Sequence, residues 1–328
     1  MLLQKVLTSR PLLHSIRSNC SKLNTSKTTF STSARLALRQ GGRNRVNTQT
    51  QSKFGEKAIT TGQYFAAGTS LAGMGALCYY GMGMSKETSA IDKAVMWPQY
   101  VRQRIKDTYM YFGASLGLTG ISAYAIAQNP TLMRLATSNS IMGMFASLAL
   151  LWGSSMLCRS IDYKPGFNAK QMTWLLHTAV VGGIIAPLTL LGGPLMVRAA
   201  MYTMGVAGGI STVAYCAPSE KFLNWGGPLA AGFGVVFLAS IGGAFLPPTS
   251  AAGMTLYSIS MYGGLALFSA LLLYNTQKAV KKAESYPLSY SGKQYDPINA
   301  SMGMYMNVIN IFVRIAVMLA QNKGNSRR

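Results

Sequence analysis

Acidic residues are scarce in this chain. Only 8 of its 328 residues are Asp or Glu, against 30 Lys and Arg, and charged residues make up 12% of the total. A soluble domain carries about 25% charged residues. The mean hydropathy is +0.23, and the apolar residues come in blocks of about 20, the length that crosses a bilayer. The composition therefore indicates an integral membrane protein rather than a soluble domain.

Cysteine and catalytic motifs are almost as scarce. The four cysteines form no CxxC pair and no close cluster with histidine, so we predict neither a disulfide framework nor a metal site. The chain has no Ser/His/Asp set, no HExxH, no phosphate-binding loop and no GxGxxG motif after a strand. These absences predict a protein that is not an enzyme and has no cofactor.

The net charge of +22 is also a feature of proteins that bind nucleic acid. Here, however, the basic residues lie in the N-terminal segment and in short loops between apolar blocks. No basic stripe follows a soluble helix, and no nucleic-acid motif is present. We therefore predict no nucleic-acid partner.

The first 55 residues differ in composition from the rest of the chain. They contain no Asp or Glu, and the first acidic residue is Glu56. Many Lys and Arg, abundant Ser and Thr, and aliphatic residues at helical spacing are typical of a mitochondrial transit peptide. We predict a multi-pass protein of the mitochondrial inner membrane in three parts. These are a transit peptide and basic disordered segment at 1–55, a first transmembrane helix with its connector at 56–108, and a transmembrane bundle at 109–328.

Eight apolar segments have the length of membrane spans. They lie at 63–83, 109–128, 141–157, 172–191, 195–216, 226–246, 254–276 and 300–320. Asn307, Asn310 and Arg314 interrupt the last segment, so a full crossing and a re-entrant closing helix both agree with it. Glycines inside the segments favour closely packed helices. We predict an all-α membrane bundle.

The orientation of the bundle has two conflicting signals. A leader that enters the matrix first leaves the start of the mature chain there, so the connector 84–108 and every second connector after it face the intermembrane space. Those same connectors hold most of the loop Lys and Arg, which the positive-inside rule places in the matrix. The leader dictates the order of import and takes precedence in our prediction.

Several motifs in the chain are distinctive. They are WPQYV at 97–101, DTYMY at 107–111, APSEKFLN at 217–224, LPPT at 246–249, LYNTQK at 273–278, YDPIN at 295–299 and YMNVINIF at 305–312. Together they resemble the Bax inhibitor family of transmembrane Bax-inhibitor-motif proteins, most closely its mitochondrial member. The resemblance implies a seven-helix bundle with a closing helix at its centre, here preceded by one additional N-terminal span.

In that family, two aspartates on the last two helices form a proton-sensitive pair, within motifs that resemble Tyr-Asp-Thr-Gln and Tyr-x-Asp-x-x-Asn-x-Phe. The corresponding residues here are Asn275 and Asn307. Two close carboxylates share a proton because both cannot ionise easily, whereas an amide does not titrate. The resemblance thus places an ion or proton pathway at these positions, with altered proton coupling. We expect the two amides to hydrogen-bond to one another, although an amide oxygen also coordinates cations weakly.

No carboxylate lies inside an apolar segment, so few ionisable groups remain as intramembrane candidates. His177 is a candidate proton relay, but we favour a neutral imidazole that bonds to a carbonyl or hydroxyl of a neighbouring helix. Arg198 lies near the start of its span and is expected to snorkel to the interface. For Arg314 we consider two alternatives: it faces the bundle and pairs with a loop acid such as Asp296, or it snorkels to an interface.

A basic run follows the seventh apolar segment, at Lys278, Lys281 and Lys282. It either contacts anionic lipid headgroups, cardiolipin included, or forms an ordinary solvated flank. Membrane lipids and calcium or potassium ions are therefore the expected partners, and the sequence identifies no protein partner.

The resemblance implies two alternative functions. The first is a calcium or potassium exchanger or leak pathway linked to protons, with a role in cristae organisation and the control of apoptosis. The second is a structural membrane scaffold that supports cristae morphology, with transport lost. Both family aspartates are absent from this chain. The scaffold function is therefore favoured more strongly here than in a standard family member, which has them.

Overall fold

The computed structural model describes residues 97–137, 141–216, 222–247, 250–286 and 294–325. The predicted transit peptide and the predicted first span at 63–83 lie outside these ranges. Within them the chain forms nine α-helices and no strand. The helices are α1 (Gln99–Gln128), α2 (Pro130–Ala136), α3 (Ile141–Ser160), α4 (Ala169–Ile185), α5 (Gly193–Cys216), α6 (Gly226–Phe245), α7 (Ala251–Ser258), α8 (Gly264–Ser285) and α9 (Pro297–Asn325).

The long helical segments coincide with the apolar segments predicted from residue 109 onward. Helix α7 continues into α8 through a π turn at Ile259–Gly263, and α4 continues into a 3₁₀ turn at Ala186–Leu191. Among the described residues, five segments are long and apolar enough to cross a membrane. They are Gln99–Gln128, Ala169–Leu191, Leu223–Gly243, Ala251–Ser285 and Pro297–Gln321. Helices α3 and α5 have 20 and 24 residues. The predicted all-α membrane fold is confirmed.

Two helices extend past the apolar segments that predicted them. Helix α1 starts at Gln99, before the predicted start at 109, and α8 continues to Ser285, past the predicted end at 276. Hydropathy marks only the part of a helix that lies in hydrocarbon, whereas the backbone bonds continue into the polar region. The two extensions meet, since Arg104 in α1 donates from Nη1 to the Ala283 carbonyl of α8 at 3.0 Å.

Local sequence explains where several helices begin and end. The side chain of Asn129 accepts the backbone N–H of Thr131 at 3.0 Å, and Pro130 occupies the first turn of α2, the positions that a cap and a proline favour. The 3₁₀ turn after α4 contains Pro187, which cannot continue an α-helical ladder. It ends at Gly192 with φ of 101°, a left-handed conformation that glycine adopts without strain.

Helix α9 lies at the centre of the bundle. In its apolar window 67% of the residues are buried, against 17–50% in the other four candidate spans. It packs against α1, α5 and α8, and the side chains of Ile298, Ile311 and Val317 are fully buried. The helix is continuous over 29 residues, or roughly 44 Å at 1.5 Å per residue. This length favours a full crossing over the re-entrant alternative.

Candidate functional site

The two residues that correspond to the family aspartates lie on facing helices, Asn275 on α8 and Asn307 on α9. Asn275 is half-buried and packs against the α9 backbone: a Cβ atom on Gly303 would lie 3.0 Å from its Oδ1. Further along the same pair, Gly264 of α8 meets the guanidinium of Arg314 on α9. These two contacts show that α8 and α9 run antiparallel. Asn307 lies on α9 between the two contact positions and is 5% exposed.

The predicted hydrogen bond between Asn275 and Asn307 is not formed, and that expectation is wrong. Asn307 is one turn, or about 6 Å of rise, beyond the Gly303 that Asn275 packs against. Among the described residues, its buried Nδ2 has no hydrogen-bond partner, and neither has the buried Oγ of Ser269 on α8. We call Asn275, Asn307 and Ser269 the polar seam. A buried polar group without a partner costs about 1–3 kcal/mol, so the seam leaves hydrogen-bonding capacity for a guest.

Arg314 is buried inside the bundle, with 5% of its surface exposed. Its Nε donates to the Ser260 carbonyl at 3.1 Å, and its Nη1 donates to the Asn310 carbonyl at 3.0 Å and to the Asn310 Oδ1 at 3.2 Å. The guanidinium also lies 4.5 Å from the ring centroid of Phe268. Ser260 belongs to the π turn between α7 and α8, where the helical bonding pattern changes.

Arg314 faces the bundle, as one of the two alternatives proposed, but it forms no salt bridge with an acid among the described residues, and the interface alternative is wrong. The side chain faces the interior, so it does not reach an interface, and Asp296 pairs with Lys170 instead. Its charge is held by carbonyl oxygens and an aromatic face, with no salt bridge among the residues the model describes. Helix α9 continues unbroken through these polar positions, and carbonyls of the π turn and of α9 itself accept the guanidinium N–H groups.

His177 lies on α4 and is 1% exposed. Its Nδ1 is 2.9 Å from the Ser154 hydroxyl on α3, and its ring meets that of Tyr305 on α9 edge-on at 6.2 Å between centroids. Its Nε2 is buried and has no hydrogen-bond partner in the part of the chain that the structure describes. The Tyr305 hydroxyl is 2.6 Å from that of Thr119 on α1. The contact with Ser154 agrees with a neutral imidazole bonded to a neighbouring helix. The unpaired Nε2 leaves the alternative of a proton relay open.

The remaining predicted residues lie on the outside of the bundle. Arg198 is exposed near the start of α5, as the snorkelling prediction requires. Lys278 is exposed with its Nζ 5.5 Å from the ring centroid of Tyr274. Lys281 and Lys282 are half-exposed on the last turns of α8. The structure does not bring these cations into contact with the polar seam.

Sequence reasoning missed Lys170, the most deeply buried cation. Its side chain is 0% exposed and its Nζ is 2.7 Å from the Asp296 Oδ2. The amine also donates to the carbonyls of Cys158 at 2.7 Å and Ile161 at 3.0 Å, and to the Asn299 Oδ1 at 3.0 Å. We call this end of the bundle, where α3 and α8 finish and α1, α4 and α9 begin, the Lys170 end. From sequence alone, a lysine next to an apolar segment is predicted to be solvent-exposed. No residue near Lys170 in the sequence indicates that it is buried.

The start of α9 has further polar attachments at the Lys170 end. The hydroxyls of Tyr295 and Thr108 on α1 are 2.9 Å apart. Arg104 lies 5.4 Å from the ring centroid of Tyr295 and donates to the carbonyl of Tyr286 at 2.9 Å. Burial raises the pKa of the Tyr295 phenol, so it remains a protonated donor. Helices α1, α4 and α8 all bind this start of the central helix.

The arrangement is suited to neutral or weak interactions rather than to acid–base chemistry. No group of three His, Cys, Asp or Glu side chains in the described ranges could hold a metal ion. The seam offers amide and hydroxyl groups, and the charge nearest to it along α9 is the positive one of Arg314. A cation that enters meets weak oxygen ligands and a repulsive neighbour.

The long apolar helices and the buried central helix define a multi-pass α-helical membrane protein. A family model described as "Inhibitor of apoptosis-promoting Bax1" matches residues 101–324. The chain belongs to this Bax inhibitor family, as the motifs predicted.

Individual relatives agree with this assignment. The rat growth hormone-inducible transmembrane protein is 55% identical over 267 residues, which cover 81% of this chain and 76% of that protein. Rice Bax inhibitor 1 is 22% identical over 230 residues, 69% of this chain and 83% of the rice protein. An uncharacterized protein of Helicobacter pylori is 26% identical over 219 residues, 64% of this chain and 83% of that protein. No solved structure matches the chain.

Proposed function

We propose that this chain is a mitochondrial inner-membrane protein that provides a calcium or potassium path of the Bax-inhibitor type, in which proton coupling is altered. The observation that carries the proposal is the polar seam between α8 and α9. Its amides stand where the family resemblance places carboxylates, and the buried Nδ2 of Asn307 and Oγ of Ser269 have no partner. Amide and hydroxyl oxygens bind cations, but none of these groups titrates near neutral pH.

The inner-membrane location rests on the acid-free, basic leader at 1–55 and on the resemblance to the mitochondrial family member. A role in cristae organisation and in the control of apoptosis comes from the same resemblance, and the name of the matching family model agrees with the latter. The division into a leader, a first span and the bundle at 109–328 belongs to the same proposal.

A structural scaffold is the second candidate function, and one observation favours it. The Arg314 guanidinium is fixed beside α8 by the carbonyls of Ser260 and Asn310. A positive charge in a low-dielectric interior repels cations strongly. In this alternative the bundle keeps its packing, supports cristae and conducts nothing.

The deciding experiment measures cation flux through the purified mature chain in liposomes, with calcium and potassium indicators inside. The variants are Asn275→Ala with Asn307→Ala, Asn275→Asp with Asn307→Asp, and His177→Ala. Flux is recorded between about pH 6 and about pH 8, the range in which only histidine titrates among unperturbed side chains.

We expect the native chain to conduct with little dependence on pH, and the double-alanine chain to lose most of the flux. The double-aspartate chain should conduct with a steep pH dependence, since close carboxylates share a proton. If the native flux varies with pH and His177→Ala removes that dependence, the proton site has moved to α4. A silent native chain beside a conducting double-aspartate chain would reject the path and leave the scaffold function.

A further inference from the structure

Lys170 occupies an unusual position for a lysine near a membrane surface. Its side chain is fully buried, and its ammonium contacts four oxygens. The carbonyls of Cys158 and Ile161 belong to the end of α3 and the loop after it. Asp296 and Asn299 belong to the start of α9. The lysine therefore joins the α3–α4 hairpin to the central helix.

Asp296 serves this junction in two ways. Its Oδ2 accepts the Lys170 ammonium at 2.7 Å, while its Oδ1 accepts the backbone N–H of Asn299 at 2.8 Å. The second bond is that of a helix N-cap, followed by Pro297 at the first helical position. The carboxylate thus both starts α9 and ties that start to α4. A substitution at position 296 that breaks the ion pair therefore detaches the start of α9 from α4. It keeps the N-cap if the new side chain still accepts the backbone N–H of Asn299.

The opposite end of α9 is attached differently. Gln321 donates from Nε2 to the hydroxyl of Tyr257 on α7, and the fully buried Ala316 packs nearby on α9. Between the two ends, the α8–α9 interface contains the polar seam. The ion pair opposes movement of the start of α9 away from the α3–α4 hairpin.

We propose that Lys170, with Asp296, is the positioning pair that keeps the central helix α9 closed against the α3–α4 hairpin. Breaking the pair opens the Lys170 end of the bundle locally, while the Gln321 end stays packed. The inference deepens the proposed function, because it names the contact that controls access to the seam. The opening itself is independent of whether ions pass.

Cys158 supplies a native reporter of this opening. The thiol is free, and Cys158 is fully buried on α3. The backbone carbonyl of the same residue accepts from Lys170. The experiment measures the rate at which N-ethylmaleimide modifies Cys158 in the full-length protein in lipid nanodiscs, with peptide mapping to identify each modified cysteine. Ala316→Cys, introduced into every variant, provides a second buried reporter near the other end of α9.

The variants are Asp296→Asn, Lys170→Met and their combination, with Lys164→Met as the matched control. Lys164 lies on the loop between α3 and α4, six residues before Lys170, but is exposed and forms no salt bridge with the described residues. Asp296→Asn is nearly isosteric and asparagine is as good an N-cap as aspartate. It therefore decides the question even if Lys170→Met does not fold.

We expect Asp296→Asn and Lys170→Met to raise the modification rate of Cys158 by about tenfold or more, because one partner of a buried pair is left uncompensated. The reporter at position 316 should stay protected, and Lys164→Met should match the native chain. In the double variant the Cys158 rate should fall below that of either single variant, which is the sign of direct coupling. An unchanged Cys158 rate in Asp296→Asn, or a parallel rise at both reporters, would overturn the proposal.

Cation flux measured on the same nanodisc-tested variants, after transfer to liposomes, separates this inference from the proposed function. Faster Cys158 modification with increased flux supports both. Faster modification without any flux leaves the positioning role of Lys170 intact and rejects the cation path. Increased flux with unchanged modification retains the path and rejects Lys170 as the residue that controls it.

Discussion

Arg314 shows how this bundle holds a charge in its interior without an acid. A guanidinium presents five N–H donors in a fixed plane, and here the donors reach carbonyl oxygens of α9 and of the π turn. The face of the guanidinium rests on Phe268, which adds a cation–π interaction. The site fits arginine rather than any cation, because a lysine ammonium cannot cover the same separated acceptors.

We therefore expect Arg314→Lys to lower the free energy of unfolding by about 2 kcal/mol, since charge-assisted bonds to buried acceptors are lost. The thermal midpoint of the protein in detergent, followed by tryptophan fluorescence, measures the change. Arg198→Lys is the control, since Arg198 is exposed and should shift stability by at most about 0.5 kcal/mol. Equal midpoints for the two variants would contradict this account of the Arg314 site.

The Tyr305 hydroxyl offers a second test at the level of a single bond. It lies 2.6 Å from the Thr119 hydroxyl, which in turn donates to the Ser115 carbonyl at 2.7 Å. Tyr305→Phe should reduce stability by about 1 kcal/mol, because Thr119 keeps its own bond and only one interaction is lost. Tyr202→Phe is the matched control: Tyr202 is half-buried and forms no hydrogen bond within the described part of the chain. The two thermal midpoints should differ.

At the scale of helices, the α8–α9 pair depends on close approach at glycines. A Cβ atom at Gly264 would lie 2.7 Å from the Arg314 Nη2 and 2.8 Å from its Cζ, distances at which atoms overlap. At the neighbouring Gly263 the nearest atoms would be 3.9 Å away, an ordinary contact. Of these two adjacent glycines, only Gly264 lies where a Cβ atom would overlap with Arg314.

Gly264→Ala should destabilise the protein by about 1–3 kcal/mol, the usual cost of an overpacked interior. Gly263→Ala should be neutral or stabilising by up to about 1 kcal/mol, since alanine favours helix. Thermal midpoints in the same detergent, with circular dichroism to confirm equal helix content, compare them. The prediction fails if Gly263→Ala is the more destabilising substitution.

Hydropathy predicted the long helical segments of the described residues from 109 onward. It did so because a span needs a minimum apolar length that can be read directly from sequence. It did not predict the π turn or the polar extensions of α1 and α8, which depend on tertiary contacts such as that of Arg104 with Ala283.

The candidate site was predicted less well, since its contacts join distant parts of the chain. The family motifs located Asn275 and Asn307 on two facing helices, but not their offset by a helical turn. Asp296 was one candidate partner for Arg314 and instead contacts Lys170, which lies 126 residues earlier in the chain (296 − 170). Only the packing order of the helices decides which cation lies next to that carboxylate.

At the scale of the whole molecule, the cations of the described residues are concentrated at one end. Exposed or half-exposed basic side chains at the Lys170 end are Arg102, Arg104, Lys106, Arg159, Lys164, Lys278, Lys281 and Lys282. Near the other end, the described residues include Arg134 and Arg198. Clustered Lys and Arg beside membrane spans attract anionic headgroups, so the lipid contacts predicted for α8 belong to a larger basic surface.

Anionic lipid should therefore stabilise the protein through the Lys170 end. We expect cardiolipin added to detergent micelles to raise the thermal midpoint more than phosphatidylcholine does, because a ligand that binds only the folded state stabilises it by mass action. Lys278→Gln with Lys281→Gln should reduce the difference. Arg134→Gln with Arg198→Gln, the same loss of charge at the other end, should leave it unchanged. A similar reduction in both double variants would reject a specific lipid surface.

The central place of α9 also has a consequence for biogenesis. The most buried of the described candidate spans is synthesised after the other described helices, and it carries Asn307, Asn310 and Arg314. These side chains are costly in lipid unless other helices bind them. Earlier helices must therefore be inserted while their centre is still empty, and α9 enters by docking on them rather than by partitioning alone. Chains that terminate before residue 297 have no element to fill that centre, and we expect membrane quality control to recognise and degrade them.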